Sequence, residues 1–595
     1  MNMKILTRFT QVLLLLVASA AVLAAQSSKE PAGIPITDPL TIAKCGSCHI
    51  PNGTGMMRRL SYLRTTPEVW EEAIKRMVRL NGLTIAPTEA NQILRYLSNN
   101  NGLAPEEAKP IFWEAEHRTF RTQEDENGVA PELQRTCNYC HTIGRVLGQR
   151  RPRDEYEKLA NTHMAMFPGA ENVYRPNTRT TNPDDVPVAL AYGPAGGQPA
   201  LLYPTAAKAE SKTPLDIALD YLAKNQPLMT PEWSAWKAVM HNPKLADTWL
   251  INGYQTGKGR LYGKMTVEAT ASPDEFTTKI ELHYASGQIE TRTGKGIVYT
   301  GYSWRGRSTA AKPSSPADPN DSPAQTREAM LVSRDGSTME GRWFWGGYQE
   351  FGMDVQLVRQ GAETIVLGTD RYSVPTPWSG EIHVYGGNLP AAPKPSDFDL
   401  GVGIQVTKVL RSTPTEATLQ ISVAPKLPVG VHDVSVRGVT AVKAFTVFDK
   451  VDYIKVIPDA VMARLGGTIS AKQFAQFDAV AFSNGPDGIP GTADDVPLGP
   501  VSANWSLEEF MSTADDDDAK YVGVINPETG LFTPSMEGPD PKRKKASNNF
   551  PTEDWGDVWV DASYKAPSGQ TLKARSYLVV TIPDYIYFDQ PEVSQ

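Results

Sequence analysis

All four cysteines of this 595-residue sequence lie in two short motifs with the same spacing. The motifs read C-G-S-C-H and C-N-Y-C-H, and their cysteines and histidines are Cys45, Cys48, His49, Cys137, Cys140 and His141. Two thiols three positions apart lie on one helical turn, so both can bond to the vinyl groups of one porphyrin. The adjacent histidine then supplies an axial nitrogen to the iron. The two pentads therefore predict two covalently attached c-type haems.

A redox-active C-x-x-C pair and a four-cysteine zinc site are the other interpretations of these cysteines. A zinc site would leave the histidine after each pair unexplained. Thioredoxin-like chemistry would not need two pairs about ninety residues apart. We therefore favour the dihaem interpretation.

A similar helical pattern follows each pentad, with Trp70 in the first turn of the first pattern and Tyr156 in the first turn of the second. We expect the sixth iron ligands in these two helices. Superposing these aromatic residues places Met77 on His163. Because a low-spin cytochrome needs a sixth ligand, usually a thioether or a second imidazole, we predict Met77 for the first haem and His163 for the second. The alternatives are Met56 and Met57 for the first haem, and Met164, Met166 and His117 for the second.

Unequal sixth ligands predict unequal reduction potentials. A His/Met iron is expected to have the higher potential, because a thioether favours ferrous iron more than a second imidazole does. Two different potentials in one small domain would make a directed relay. Two identical haems with open positions would instead suggest peroxidase chemistry.

The N-terminal segment 1–25 indicates a secretory signal peptide. Lys4 and Arg8 precede an apolar run that ends in small residues and is too short for a comfortable membrane span. Export agrees with haem attachment outside the bacterial inner membrane, so we expect the protein in the periplasm. No later run approaches eighteen apolar residues, so no membrane span is expected in the mature chain. The net charge of −8 argues against a nucleic-acid partner.

The expected architecture is an α-helical dihaem cytochrome c domain (26–228) followed by three all-β domains. Residues 229–366 have the short alternating strands of a β-barrel-like meander. Two immunoglobulin-like sandwiches are expected at 367–447 and 448–595. The meander strands are predicted at 259–267, 276–284, 289–293, 296–302, 329–333, 338–345 and 353–358.

The β half contains no catalytic constellation that the sequence reveals. It has no G-x-S-x-G, no H-E-x-x-H and no Gly-rich phosphate loop, so we expect it to be a scaffold for docking partners. The spaced carboxylates of segment 485–495 could bind Ca²⁺, but an acidic turn is the interpretation that we favour.

An exported dihaem domain followed by three β domains resembles the alpha subunit of quinohaemoprotein amine dehydrogenase, over essentially the whole mature chain. The two pentads and the domain order carry this resemblance. It implies that the haem-attachment residues are Cys45, Cys48, His49, Cys137, Cys140 and His141.

The resemblance further implies a periplasmic heterotrimer. A small gamma subunit carries a cysteine tryptophylquinone that oxidises primary amines, and the beta subunit is a propeller. The alpha subunit passes electrons to azurin or a soluble cytochrome c. No cysteine of this chain is free to form the quinone, so we expect no amine-oxidising catalytic residue here.

Two other function classes remain as alternatives. A dihaem cytochrome c peroxidase would need a haem with a displaceable sixth ligand, and peroxide turnover would reveal it. A haem-bearing periplasmic binding protein would need clustered exposed aromatic residues on one β face.

Overall fold

Helices occupy the first part of the chain, and strands make up most of the remainder. The computed structural model describes residues 33–111, 130–134, 136–137, 143–167, 169–174, 212–312, 318–321, 324–511, 516–544, 551–583 and 593. The predicted signal segment and the pentad residues Cys140 and His141 lie outside the described residues, as does His117. Within the described ranges, no helix is long and apolar enough to cross a membrane.

Proline residues mark the beginning of many helices. Proline is tolerated at the first helical position because that residue's N–H has no helical acceptor. The helix after the first pentad ends at Gly82, whose φ of 68° is the left-handed conformation that closes a helix. The helices are α1 (Pro39–Cys45), α2 (Pro67–Asn81), α3 (Pro87–Asn100), α4 (Pro105–Ala108), α5 (Pro131–Gln134), α6 (Gly144–Leu147), α7 (Arg153–Met166), α8 (Ala170–Tyr174), α9 (Pro214–Asn225) and α10 (Pro231–Val239).

Two short strands join the two pentad-bearing halves of the helical part. Strands β1 (Arg64–Thr65) and β2 (Gln149–Arg150) pair antiparallel, with Arg64 opposite Arg150. Strand β1 leads into α2 and β2 leads into α7. Because each arginine faces its counterpart 86 positions away, the halves are related by an approximate two-fold axis through this pair.

Buried aromatic residues repeat the same relation. Trp70 and Tyr156, also 86 positions apart, are each 3% exposed. Trp70 Nε1 donates to the carbonyl of Asn101 at 3.3 Å, and the Tyr156 hydroxyl donates to the carbonyl of Gln226 at 3.2 Å. These carbonyls belong to the residues that end α3 and α9. The backbone N–H of Thr65 also donates to the Asn101 carbonyl, at 2.9 Å, and the backbone N–H of Arg151 donates to the Gln226 carbonyl, at 3.4 Å.

A closed barrel of eight antiparallel strands follows, as the sequence predicts. Its strand order is β10-β3-β4-β5-β6-β7-β8-β9, and Trp249, Trp304 and Trp343 are fully buried in its core. The strands are β3 (Asp247–Gln255), β4 (Gly259–Ala269), β5 (Glu275–Tyr284), β6 (Ile289–Tyr299), β7 (Ser303–Ala310), β8 (Gln325–Val332), β9 (Thr338–Trp345) and β10 (Phe351–Arg359).

The predicted strand list for this barrel is wrong in three places. Strands β3 and β7 are absent from it, and the separate strands at 289–293 and 296–302 are the single strand β6. Gly294 and Gly296 suggest a turn there, but both lie within the ladder. A Cβ at Gly296 would lie 2.2 Å from the Trp304 ring, so the glycine makes room for an indole.

The chain ends in two further β units, each built from packed sheets. The first has sheets β11-β13-β16-β15 and β12-β18-β17-β14, and the second has β19-β22-β23, β20-β30-β29-β24, β21-β26-β25 and β27-β28. The strands are β11 (Ile365–Thr369), β12 (Ser373–Pro375), β13 (Trp378–Gly387), β14 (Phe398–Asp399), β15 (Ile404–Ser412), β16 (Glu416–Val423), β17 (Gly430–Val436), β18 (Val439–Phe448), β19 (Tyr453–Ile457), β20 (Ala460–Arg464), β21 (Ala475–Gln476), β22 (Asp478–Ser483), β23 (Val496–Val501), β24 (Asn504–Glu509), β25 (Gly523–Ile525), β26 (Leu531–Pro534), β27 (Pro539–Lys544), β28 (Pro551–Glu553), β29 (Gly556–Lys565) and β30 (Thr571–Thr581).

The helical part packs directly on the barrel. Ile297 and Tyr299 of β6 belong to the hydrophobic cluster of the first pentad half, together with Val593. The Tyr299 hydroxyl donates to the Val593 carbonyl at 3.0 Å, across 294 residues of chain. Glu68 at the start of α2 forms a buried ion pair with Arg305 of β7. The barrel therefore fixes the position of α2.

Candidate haem sites

The first pentad forms a tight turn at the end of α1. Asp38 caps α1, accepting from the N–H of Thr41 at 2.7 Å, and the helix ends at Cys45. The N–H groups of Cys48 and His49 both reach the Cys45 carbonyl, at 3.3 and 2.9 Å. This turn keeps the cysteines and the histidine close together, which the attachment of one porphyrin requires. Cys45 is half-buried and Cys48 is exposed.

The ring of His49 is oriented for iron binding. Its Nδ1 lies 2.9 Å from the carbonyl oxygen of Arg58. A proton on Nδ1 can donate to this carbonyl, which leaves Nε2 as the lone-pair nitrogen for a metal. Burial lowers the pKa of His49, so the neutral imidazole that iron needs is favoured at neutral pH.

Helix α2 presents one apolar face toward the first pentad. Trp70 is buried in the cluster that Cys45 borders, and Ile74, one turn later, packs against the same cluster. Met77 lies one further turn along this face and is half-buried. Of the two alternatives, Met57 is fully buried in the same cluster and Met56 is half-buried.

An apolar cavity in the second half brings together two residues that the sequence singles out. Cys137 and His163 both line a cavity that is partly open to solvent. Its walls include Tyr156 and leucine side chains, and aliphatic walls with a thiol and an imidazole suit a haem attached through cysteine. The leucines are Leu159, Leu215, Leu219 and Leu222.

His163 is prepared for iron binding in the same way as His49. Its Nδ1 lies 2.9 Å from the carbonyl oxygen of Leu159, one turn earlier in α7. Nε2 is therefore the nitrogen left for a metal. Burial lowers the pKa of His163, which again favours the neutral ring. Among the alternatives, Met164 is half-buried, and Met166 is 40% exposed.

Reciprocal ion pairs connect the two halves. Arg59 of the first half lies 3.3 Å from Glu155 on α7, and Arg145 of the second half lies 3.1 Å from Glu72 on α2. The arginines are again 86 positions apart. An arginine of each half therefore pairs with a glutamate on the long helix of the other half.

A buried charge network lies on the approximate two-fold axis. Glu107 accepts from both Nη atoms of Arg64, at 2.7 and 2.9 Å, and lies 3.4 Å from Nε of Arg150. The N–H of Ala104 and the hydroxyl of Thr230 also donate to this carboxylate, each at 2.8 Å. Burial alone would raise the pKa of Glu107, but the bonds from Arg64 lower it to about 2.

These arginines are functional candidates that the sequence does not single out. Arg150, Arg151 and Arg153 form a short basic run, and such a run usually indicates a solvated surface. In the structure Arg150 and Arg151 are buried, and only Arg153 is exposed. No spacing rule distinguishes the three, because their burial depends on contacts with distant parts of the chain.

The acidic segment 485–495 has its carboxylates engaged within its own turn. Asp495 accepts from the backbone N–H groups of Gly485, Gly491 and Thr492. Asp494 accepts from the Thr492 hydroxyl at 2.7 Å. These contacts are those of a self-capped acidic turn.

Four family models match the chain in sequence order. "Quinohemoprotein amine dehydrogenase A, alpha subunit, haem binding" covers residues 36–182. Domains II, III and IV of the quinohemoprotein amine dehydrogenase alpha subunit cover residues 242–360, 378–449 and 454–593. The haem-binding match contains both pentads.

Other comparisons add little. No curated protein matches the chain. A redesigned β-barrel matches with 14% identity and a TM-score of 0.16, over 20% of this chain and 92% of its own. A Bacteroides ovatus mixed-linkage glucan utilisation locus protein, SGBP-B, in complex with a heptasaccharide matches with 11% identity and a TM-score of 0.16, over 58% of this chain and 68% of its own.

The four matches follow one another in the order haem-binding, II, III and IV, and together they span most of the chain. They agree with a helical part that carries haem-attachment residues and with the three β units behind it. The chain belongs to the family of quinohaemoprotein amine dehydrogenase alpha subunits.

Proposed function

We propose that this chain is the electron-transfer subunit of a periplasmic quinohaemoprotein amine dehydrogenase. One observation carries the proposal: Cys137 of a haem-attachment pentad and His163 share an apolar cavity, in a chain whose domains match this family. The subunit takes electrons released when a partner subunit oxidises primary amines. It passes them to a soluble acceptor, azurin or a cytochrome c.

Two haem c groups would be held by unequal pairs of ligands in this proposal. His49 and Met77 would bind the first iron, and His141 and His163 would bind the second. The repeat supports the assignment, because Met77 and His163 are 86 positions apart, like Trp70 and Tyr156. A c-type haem supplies a one-electron ferric–ferrous couple when it is bound.

The chain's own residues position and tune these groups. The carbonyls of Arg58 and Leu159 hold the rings of His49 and His163 with Nε2 available for iron. Aliphatic side chains form much of the wall of the second cavity. A thioether at position 77 and an imidazole at position 163 give the haems different potentials, and this difference sets the direction of transfer.

The amine chemistry belongs to a partner in this proposal. A cysteine tryptophylquinone on a small gamma subunit oxidises the amine, and a β-propeller subunit completes a heterotrimer. Segment 1–25 is removed as a signal peptide. The two β units after the barrel are immunoglobulin-like sandwiches that serve as docking scaffolds, and no Ca²⁺ is required.

The decisive experiment isolates the native protein from periplasm under anaerobic conditions and adds a primary amine. We expect two haems per chain, co-purifying small and propeller subunits, and amine-dependent conversion of both haems to ferrous spectra. Replacing Cys137 and Cys140 by serine should reduce the haem content to one per chain. The matched pair Cys45→Ser and Cys48→Ser should remove the other haem.

A different result would favour the peroxidase. A lone chain whose haems do not respond to amines but turn over hydrogen peroxide would refute the dehydrogenase proposal. Nε2 of His163 is available to the iron in the second cavity, whereas a peroxidase needs a displaceable sixth ligand.

A further inference from the structure

Arg151 is a buried cation without an anionic partner among the residues that the structure describes. Its side chain is 7% exposed, and Nε donates to the side-chain oxygen of Gln149 at 3.0 Å. Burial lowers the pKa of Arg151 to about 10, so the guanidinium is still charged at neutral pH. A buried unpaired charge is costly, and proteins normally place an anion beside one.

The charges around Arg151 make this imbalance larger. Arg59 and Arg76 are its cationic neighbours, and Glu155 is the neighbouring carboxylate. Glu155 is already engaged, since one oxygen lies 3.3 Å from Arg59 and the other 2.6 Å from Lys158. The carboxylate nearest to Arg151 in charge effect therefore already has two other cationic partners.

Arg151 lies beside the second cavity. Gln149, whose side-chain oxygen accepts from Arg151, lines the cavity together with Cys137 and His163. The buried guanidinium therefore lies at the border of this cavity.

The chemistry of a haem matches this arrangement. A haem attached through its vinyl carbons carries two propionate carboxylates at the opposite edge of the porphyrin. The planar guanidinium matches a carboxylate with two parallel hydrogen bonds, and its positive charge attracts the carboxylate. An apolar cavity with a buried arginine at its border thus offers both an apolar surface for the ring and a partner for a propionate.

We propose that Arg151 binds a propionate of the haem attached at Cys137 and thereby raises the reduction potential of that haem. The inference rests on the proposed function, because it requires a haem at the second pentad. The positive charge favours the ferrous state, in which the iron carries one positive charge less. Arg151 is a positioning residue in this scheme.

The first half has no equivalent of this arginine. Thr65 lies 86 positions before Arg151, and its hydroxyl donates to the carbonyl of Gly148 at 2.7 Å. The charge effect is therefore specific to the second haem. It partly offsets the lower potential that a second imidazole gives, and narrows the gap between the two irons.

The test compares Arg151→Gln with Arg153→Gln in the complete purified complex. Arg153 is an exposed neighbour in the same basic run, paired with Asp220 at 2.7 Å, so its replacement removes the same charge from the surface. The readout is the midpoint potential of each haem in a spectroelectrochemical titration. We expect Arg151→Gln to shift the ferric–ferrous equilibrium of the second haem about tenfold toward ferric, which is about 59 mV for one electron. Arg153→Gln should leave both potentials unchanged.

Arg151→Lys separates charge from simple packing. The lysine should restore most of the potential, and a fall as large as that in Arg151→Gln would overturn the proposal. The proposal would also be overturned if the second haem had the same midpoint potential in Arg151→Gln as in Arg153→Gln. If Arg151→Gln does not retain haem, redox-difference infrared spectra of the wild-type complex with ¹³C-labelled propionates replace it. Guanidinium-bound carboxylate bands support the proposal, and free-carboxylate bands overturn it.

Haem content and amine-dependent reduction are measured on the same samples. One haem per chain in the wild-type protein would refute the dihaem function itself. Two haems that amines reduce, with unmoved potentials in Arg151→Gln, would refute only the role of Arg151.

Discussion

Replacing Glu107 by glutamine should destabilise the helical part of the chain strongly. The glutamine has nearly the same shape, but it removes the one anion between Arg64 and Arg150. The Arg64 side chain is 0% exposed and that of Arg150 is 8% exposed, so water cannot take over the role of the carboxylate. Two buried guanidinium groups would be left facing a neutral amide.

Two estimates of the magnitude agree. Breaking a buried ion pair by removing one partner costs about 3–5 kcal/mol. Independently, the pKa of Glu107 falls from its ordinary 4.5 to about 2 on folding. This difference corresponds to about 3 kcal/mol of stability. Because the pKa is lower in the folded state, this contribution is complete above about pH 4.5 and is lost as the pH falls toward 2.

The assay is denaturant unfolding of the haem-loaded protein, followed by haem absorbance so that it reports on the helical part rather than on the β units. Glu106→Gln is the matched control, since Glu106 pairs with Arg334 at the surface and both side chains are about half exposed. We expect a loss of about 3–5 kcal/mol for Glu107→Gln and below about 1 kcal/mol for the control. The difference between wild type and Glu107→Gln should shrink as the pH falls from 4.5 to 2. Equal losses in both variants, or a pH-independent difference, would refute the reasoning.

Two further predictions concern the iron ligands and the contact with the barrel. Met77→Ala should let carbon monoxide bind the first ferrous haem, and His163→Ala should do the same for the second, because each opens a sixth position. Carbon monoxide binding in Met57→Ala but not in Met77→Ala would instead assign the ligand to Met57. Glu68→Gln should destabilise the junction of α2 and the barrel by about 3 kcal/mol, because the buried Arg305 loses the carboxylate of Glu68. Arg334→Ala, at an exposed ion pair between α4 and the barrel, should cost below about 1 kcal/mol, and calorimetry of the two variants compares the effects.

Local sequence patterns predict those features that depend on local geometry. The turn of the first pentad and the equivalence of Trp70 with Tyr156 depend on spacing, and both are recognisable from the sequence. The barrel is recognisable from alternating residues, but the number of its strands is not. Gly294 and Gly296 look like a turn, although they make room for neighbours such as Trp304 that only the closed barrel brings near.

Features that join distant residues cannot be predicted in this way. Arg64, Glu107 and Arg150 form one network although they are far apart in sequence. The 86-residue repeat relates the two arginines, but nothing in the repeat indicates Glu107. Arg151 and Arg153 are the same residue type in the same basic run, yet Arg151 is buried beside a cavity and Arg153 is exposed. Their difference comes from which side of β2 and α7 meets the other half.

The contact of Tyr299 with Val593 constrains the order in which the chain can fold. Val593 is 1% exposed in the cluster that Cys45 borders, so this core is complete only after the C-terminal β unit has been synthesised. Contacts of such long sequence separation form late in folding. The first pentad should therefore stay accessible until late in folding. An affinity tag placed just after Val593 would disturb the first haem rather than the nearby β unit.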